Sequence, residues 1–154
     1  MISWGHPSIF RECLPEFQAR SRNFPIWSLV YIAWVPWEVE VTDELNAWWE
    51  TLDEDEQESV ATIVQLLQAK GPSLSFPHSS DVRGSRHGRM RELRIQHSGK
   101  PYRVLYAFDP RRVAILLLGG TKAGDDRWYE KYIPEADALY DSHLEELRSE
   151  GEVE

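Results

Sequence analysis

This 154-residue chain has one cysteine, Cys13, so it can close no disulfide within itself and supplies no thiolate cluster for a metal. Long apolar runs are also missing. The longest, Ile26 to Val35, covers ten residues, about half of the roughly 20 needed to cross a bilayer. No basic segment with a cleavage site frames it as a secretory signal. These absences point to a reducing, cytoplasmic setting without a membrane partner. His78, His87 and His97 stand nine and ten residues apart, spacings that match no common ligand set, so no metal and no cofactor is expected. Internal repeats and low-complexity stretches are lacking too, and the length suits one domain with a real core better than two.

What is present is an ordinary globular balance, 42% hydrophobic and 28% charged, with seven tryptophans to anchor a core. The net charge of -9 argues against a nucleic-acid partner only until its distribution is considered. From Arg83 to Lys131 twelve basic residues face five acids, a balance of +7, while the remainder carries five bases and 21 acids. A basic centre between acidic flanks fits a polyanion-binding surface. It equally fits ordinary strand-edge charges beside solvated helix faces.

Residues 1–35 read as an extension, with Pro7, Pro15 and Pro25 breaking any long helix and aromatics lacking a period. Two origins stay open. Translation starting at Val35 would make the segment foreign to the native protein; a real extension would let Trp27, Tyr31 and Trp34 pack on the domain or meet a partner. The domain is expected over 36–148, followed by an acidic, fraying tail at 149–154.

Pro36 to Thr42 alternates apolar and polar residues with the period of a half-buried strand. Thr42 or Asp43 can cap a short helix over Glu44 to Thr51, and Asp53 a longer one. In the latter, Val60, Ile63, Val64 and Leu67 form a helical stripe and Lys70 with Gly71 ends it. A polar loop then leads to strands at Arg89–Gln96, Tyr102–Phe108 and Val113–Leu118, joined by turns at Ser98-Gly99-Lys100 and Asp109-Pro110-Arg111. A helix from Pro134 to Arg148 closes the chain. The expected class is α+β, ordered β-α-α-β-β-β-α, with helices gathered on one face of a small, mostly antiparallel sheet.

The segments VRG, RELRI, PYRVLYAFD and AILLLGGTK, in this order, resemble the phage-derived HigB-like branch of the RelE/HigB toxin superfamily, over about Pro36 to Leu147. The resemblance implies a RelE-like fold and the toxin of a type II toxin–antitoxin system. Its activity would be ribosome-dependent mRNA cleavage, and its partners the ribosome, mRNA and a cognate antitoxin that often carries a helix-turn-helix. Carried over by position, it places Arg94 and Glu92 on the sheet face opposite Leu93 and Ile95. It adds Arg103, Lys122 and Tyr129 to the catalytic set, and Arg83, Arg89 and Arg91 as RNA-binding residues. The chain departs from the pattern in carrying Glu92 where a second lysine can sit, and Asp125 with Asp126 after Lys122.

Attack by a 2′-hydroxyl on the neighbouring phosphate needs a base, cations for the transition-state charge and help for the leaving 5′-oxygen; none of these has to be a metal. Arg94 and Arg103 suit the phosphate, because guanidinium donates in a fixed fork. Glu92 suits the base, although a salt bridge to Arg103 explains it equally well. Tyr129 could stack or move a proton, or simply pack beside Trp128. Lys122 in GGTKAG can approach phosphate, but the spacing is not that of a nucleotide-binding P-loop. His87, beside Arg86 and Arg89, is a minor acid–base candidate. Two rival functions remain at this point: a ParE-like gyrase poison on the same scaffold, and an inactivated toxin that only binds, for which Asp125 and Asp126 speak.

Overall fold

The computed structural model describes residues 36–153, and the readings made on residues 1–35 lie outside the described residues. The elements are β1 (Val39–Val41), α1 (Asp43–Glu50), α2 (Glu54–Lys70), a 3-10 turn (Gly71–Ser73), β2 (Ser79–Asp81), β3 (Arg91–His97), β4 (Lys100–Phe108), β5 (Ala114–Thr121) and α3 (Trp128–Ser149). The strands form one sheet in the order β1-β5-β4-β3-β2. Every pairing is antiparallel except β1 with β5. The α+β class and the mostly antiparallel sheet are as the sequence implies. β2 is an addition, cut from the loop that precedes β3.

Local chemistry sets most boundaries. Thr42 caps α1, its hydroxyl accepting from the Leu45 N–H at 3.1 Å while donating to the Leu117 carbonyl at 2.6 Å, so one side chain starts the helix and ties it to β5. Asp53 and Glu56 form a reciprocal capping box at the start of α2. Ser98 (φ 48°) and Gly99 (φ 77°) make the two-residue turn of the β3–β4 hairpin, the conformation whose twist matches the flanking strands.

The helices do not gather on one face; this part of the expectation is corrected. α1 and α2 pack on the side of Leu93, Ile95, Tyr102, Val104, Tyr106 and Leu116. α3 covers the other side, where Leu105, Ala107, Ile115 and Leu117 meet Trp128, Ile133, Ala136 and Tyr140. Because β3, β4 and β5 are buried on both faces, one helical layer could not shield them. Helix α3 also begins six residues before the expected Pro134. Pro134 is exposed, as is Glu130 four residues earlier, so the carbonyl that loses its backbone partner lies at the surface. Burying Trp128 to 2% exposure outweighs that loss, at up to about 4–6 kcal/mol of transfer free energy for a ring of its size. After α3, Gly151 (φ 74°) closes the helix, the Glu152 N–H donates to the Leu147 carbonyl at 3.0 Å, and the Glu152 carboxylate stands 3.6 Å from Arg111.

A bulge between Leu105 and Tyr106 matters for the site. Leu105 pairs with Leu118 but Tyr106 with Leu116, so Leu117 is the extra residue in β5. The alternation of β5 is thereby reset, and Gly120 comes opposite Arg103. Added Cβ atoms locate the two faces: at Gly119 one would collide with Trp48 of α1 at 2.1 Å, at Gly120 it would meet Trp128 of α3 at 3.0 Å.

Candidate active site

The sheet face covered by α3 is apolar in its middle, bounded at one end by the buried Asp109–His143 pair and at the other by a second polar cluster. There Arg94 on β3 pairs directly with Arg103 on β4, and Arg103 with Gly120 on β5, in one row across three strands. Neighbouring strands lie about 4.8 Å apart, so the two guanidinium groups share a small area. The first turn of α3 brings Tyr129 over this row. Its position depends on Asp125, whose carboxylate accepts from the Arg127 N–H at 3.0 Å and from Lys131 Nζ at 2.9 Å, taking the place of an N-cap side chain.

Glu92 is the centre of the cluster and is 3% exposed. One carboxylate oxygen accepts from Ser80 Oγ at 2.8 Å and Arg94 Nη1 at 3.0 Å; the other accepts from the Tyr129 hydroxyl at 2.7 Å and lies 3.9 Å from Arg103 Nε. The expected bridge from Glu92 to Arg103 is therefore the looser of two, and the closer partner is Arg94. Glu92 is an internal acceptor that orients Tyr129 and Arg94, not an exposed base. Burial and the bond to Glu92 push the Tyr129 hydroxyl above its ordinary value, with Arg103 opposing them, so it holds its proton at neutral pH.

Arg103 is held differently. Its side chain is 8% exposed, Nη1 donates to the Tyr102 carbonyl at 2.9 Å, and Nε is buried with no hydrogen-bond acceptor among the described residues. A buried guanidinium donor left unpaired is costly, and an oxyanion is the ligand that would satisfy it. Lys122 follows the last β5 residue, its backbone N–H still bonded to the Pro101 carbonyl at 2.9 Å and its ammonium 4.6 Å from the centre of the Tyr129 ring. Of the expected catalytic set, Arg94, Arg103, Tyr129 and Glu92 thus converge, with Lys122 on their rim.

The expected RNA-binding arginines fare unequally. Arg83 and Arg89 are exposed on the loop between β2 and β3 and make no ion pair with another described residue. Arg91 lies on the opposite sheet face, where it bonds Asp81 at 3.0 Å, the Pro72 carbonyl at 3.3 Å and the Tyr106 hydroxyl at 3.4 Å. Sequence parity carries this signal, since Arg91 alternates with Leu93 and Ile95, not with Glu92 and Arg94. His87 pairs with Asp141 at 2.7 Å, twelve residues or about 18 Å along α3 from Tyr129. His97 bonds Ser59 Oγ at 2.8 Å. Sequence reasoning missed Ser80, which lay in a stretch read as loop, and Phe76, whose ring stands 5.4 Å from the Arg94 guanidinium carbon. Among the described residues no three metal-ligating side chains converge, and no helix is long and apolar enough to cross a membrane.

Comparison with known proteins adds to this geometry. Residues 47–141 match the sequence family described as Phage derived protein Gp49-like (DUF891). A Mycobacterium tuberculosis protein named as the candidate toxin HigB2 is 41% identical over 112 residues, covering 71% of this chain and 55% of the relative. A second from the same organism, named as the candidate toxin HigB3, is 44% identical over 102 residues, covering 66% of this chain and 88% of the relative. The chain thus spans about half the length of the first relative and most of the second. A solved structure of a free E. coli RelE toxin mutant aligns with 73% of this chain and 98% of its own, at 12% identity and a TM-score of 0.44.

Proposed function

This chain belongs to the phage-derived Gp49-like family of RelE/HigB-type toxins, and on that premise we propose that it is the toxin of a type II toxin–antitoxin pair that cleaves mRNA on the ribosome without a metal. The observation that carries the proposal is the buried, under-partnered guanidinium of Arg103 beside Arg94, at an end of the α3-covered face where the core gives way to polar groups. Two arginines on adjacent strands bind the two non-bridging oxygens of a scissile phosphate and take up the charge that grows on them in the transition state.

The neighbouring 2′-hydroxyl oxygen attacks phosphorus, the bond to the 5′-oxygen breaks, and the products are a 2′,3′-cyclic phosphate and a 5′-hydroxyl. Tyr129 is the half-buried proton carrier of the site. Its hydroxyl is bonded to Glu92, so as it receives the 2′-hydroxyl proton its own can pass to the carboxylate; Glu92 acts through Tyr129 because it is itself buried. Lys122, on the rim, serves the leaving oxygen or a flanking phosphate.

The two rivals draw less support. Of Asp125 and Asp126, the main argument for an inactivated binder, Asp125 is occupied by Lys131 and the start of α3, and the acid paired with Arg94 and Arg103 is Glu92. A gyrase poison has no evident use for an under-partnered arginine beside a tyrosine–carboxylate pair. Cognate antitoxin, ribosome and mRNA are the proposed partners, and the cytoplasm the proposed location. Primer extension on translated mRNA after induction tests the reading: discrete new 5′ ends that vanish in Arg103→Ala are expected. Growth arrest with intact mRNA and damaged DNA would turn the assignment to the gyrase target.

A further inference from the structure

Phe76 is 72% exposed, and no other large hydrophobic among the described residues stands out of the core in this way. A single exposed apolar residue is ordinary by itself; the neighbourhood of this one is not. It lies just before β2, the edge strand, against the Arg94 guanidinium. Arg94 in turn bonds Glu92 at 3.0 Å. At the other end of the cluster Lys122 lies over the ring of Tyr129, whose hydroxyl bonds the same Glu92. Each flanking cation is therefore backed by an aromatic ring, with Arg103 between them. A row of cations with a ring at each end suits the phosphates and bases of a single strand. Tyr129 is half-buried and pinned edge-on by Trp128 at 5.2 Å, whereas Phe76 has most of its surface to offer.

We infer that Phe76 is a stacking platform for one nucleobase flanking the scissile phosphate, with Arg94 spanning ring and phosphate; this rests on the endonuclease reading above. Stacking on a ring tolerates any base, so Phe76 positions the strand more than it selects the sequence.

Single-turnover cleavage by the full chain on programmed ribosomes tests this, using intact mRNA and mRNAs with one abasic nucleotide at each position in and next to the decoding site. Phe76→Ala is expected to cut intact mRNA about tenfold more slowly, equivalent to about 1.4 kcal/mol. Phe76→Leu is expected to match Phe76→Ala, and Phe76→Trp to stay within about twofold of wild type. At one abasic position the wild type falls to the rate of Phe76→Ala and the two become indistinguishable. Unchanged melting temperatures are expected, because the ring is exposed. The inference is overturned if Phe76→Ala cuts intact mRNA at the wild-type rate. It is equally overturned if Phe76→Leu retains full rate, or if the Phe76→Ala deficit persists at every abasic position, which would set the ring against protein or ribosomal RNA. Wild-type protein that cuts no mRNA overturns the endonuclease reading and this inference with it, whereas a Phe76 failure alone leaves that reading standing.

Discussion

Replacing Arg103 with methionine separates a phosphate-binding arginine from a structural one, because the two roles predict opposite balances of stability and activity. At 3.9 Å from Glu92, the guanidinium gains about 4 kcal/mol of attraction at an effective dielectric of about 20. Desolvating a buried ion costs several kcal/mol, and the unpaired Nε adds a penalty of about 1–3 kcal/mol. Loss of a buried partner normally costs about 3–5 kcal/mol because it strands the other charge. Glu92 is not stranded here, since Ser80, Arg94 and Tyr129 all still donate to it. Arg103→Met, similar in length and apolar, is therefore expected to change unfolding free energy by no more than about 1.5 kcal/mol in either direction. Single-turnover mRNA cleavage should fall by about 10²–10³, the usual cost of losing one preorganised donor to transition-state charge. Urea denaturation and ribosome-programmed cleavage of the same preparations measure both. A loss of 3 kcal/mol or more in stability, or cleavage within tenfold of wild type, would refute the assignment.

Glu92→Leu leaves Arg94, Ser80 and the Tyr129 hydroxyl without their shared acceptor and Arg103 without its ion-pair partner and should cost about 3–5 kcal/mol by denaturation; Glu92→Gln, which keeps one acceptor oxygen, should cost clearly less. Burial pushes the Asp109 carboxyl up, but hydrogen bonds from His143, Arg111 and the Val113 N–H outweigh it and hold it below its ordinary 3.8. The native state thus favours the ionised form, and the stability this contributes is present above about pH 4 and lost as pH falls through the lowered folded value. Acid unfolding followed by circular dichroism should be less steep in that window for Asp109→Asn than for wild type. Part of the central basic excess is taken up by ion pairs with carboxylates of the same chain, with Arg86 on Asp141, Arg91 on Asp81, Arg111 on Asp109 and Glu40, and Lys131 on Asp125. Eight of the twelve then remain for phosphate contacts, and the salt dependence of ribosome binding should have a log–log slope no steeper than about −5.6. A flat response, or one near −8 as twelve contacts would give, contradicts this count.

Particular elements show how far the primary structure reaches. Helix α2 was legible because its stripe, its capping box and Gly71 all lie within one continuous segment. The β3–β4 hairpin was legible because Ser98-Gly99 specifies the turn and with it the register that opposes Arg94 and Arg103. The start of α3 was not, since Pro134 reads as a boundary and only the packing of Trp128 against Gly120 shows why the helix continues past it. The division of helices between two faces was equally hidden, because a continuously apolar strand such as Ile115 to Leu118 does not say which side is covered by what.

By itself the sequence determined the α+β class, most strands and helices, the family resemblance and the identity of the converging residues Arg94, Arg103 and Tyr129. The class and the elements rest on periodicity, capping and turn chemistry, which act between neighbours along the chain, whereas the three residues are what the family resemblance implies. It is the packed fold that makes Glu92 a buried acceptor, leaves Arg103 with an unpaired donor and sets Phe76 beside Arg94. Desolvation and hydrogen-bond satisfaction at this site are set jointly by β2, three further strands and the first turn of α3, and so take definite values only once all of them have packed together.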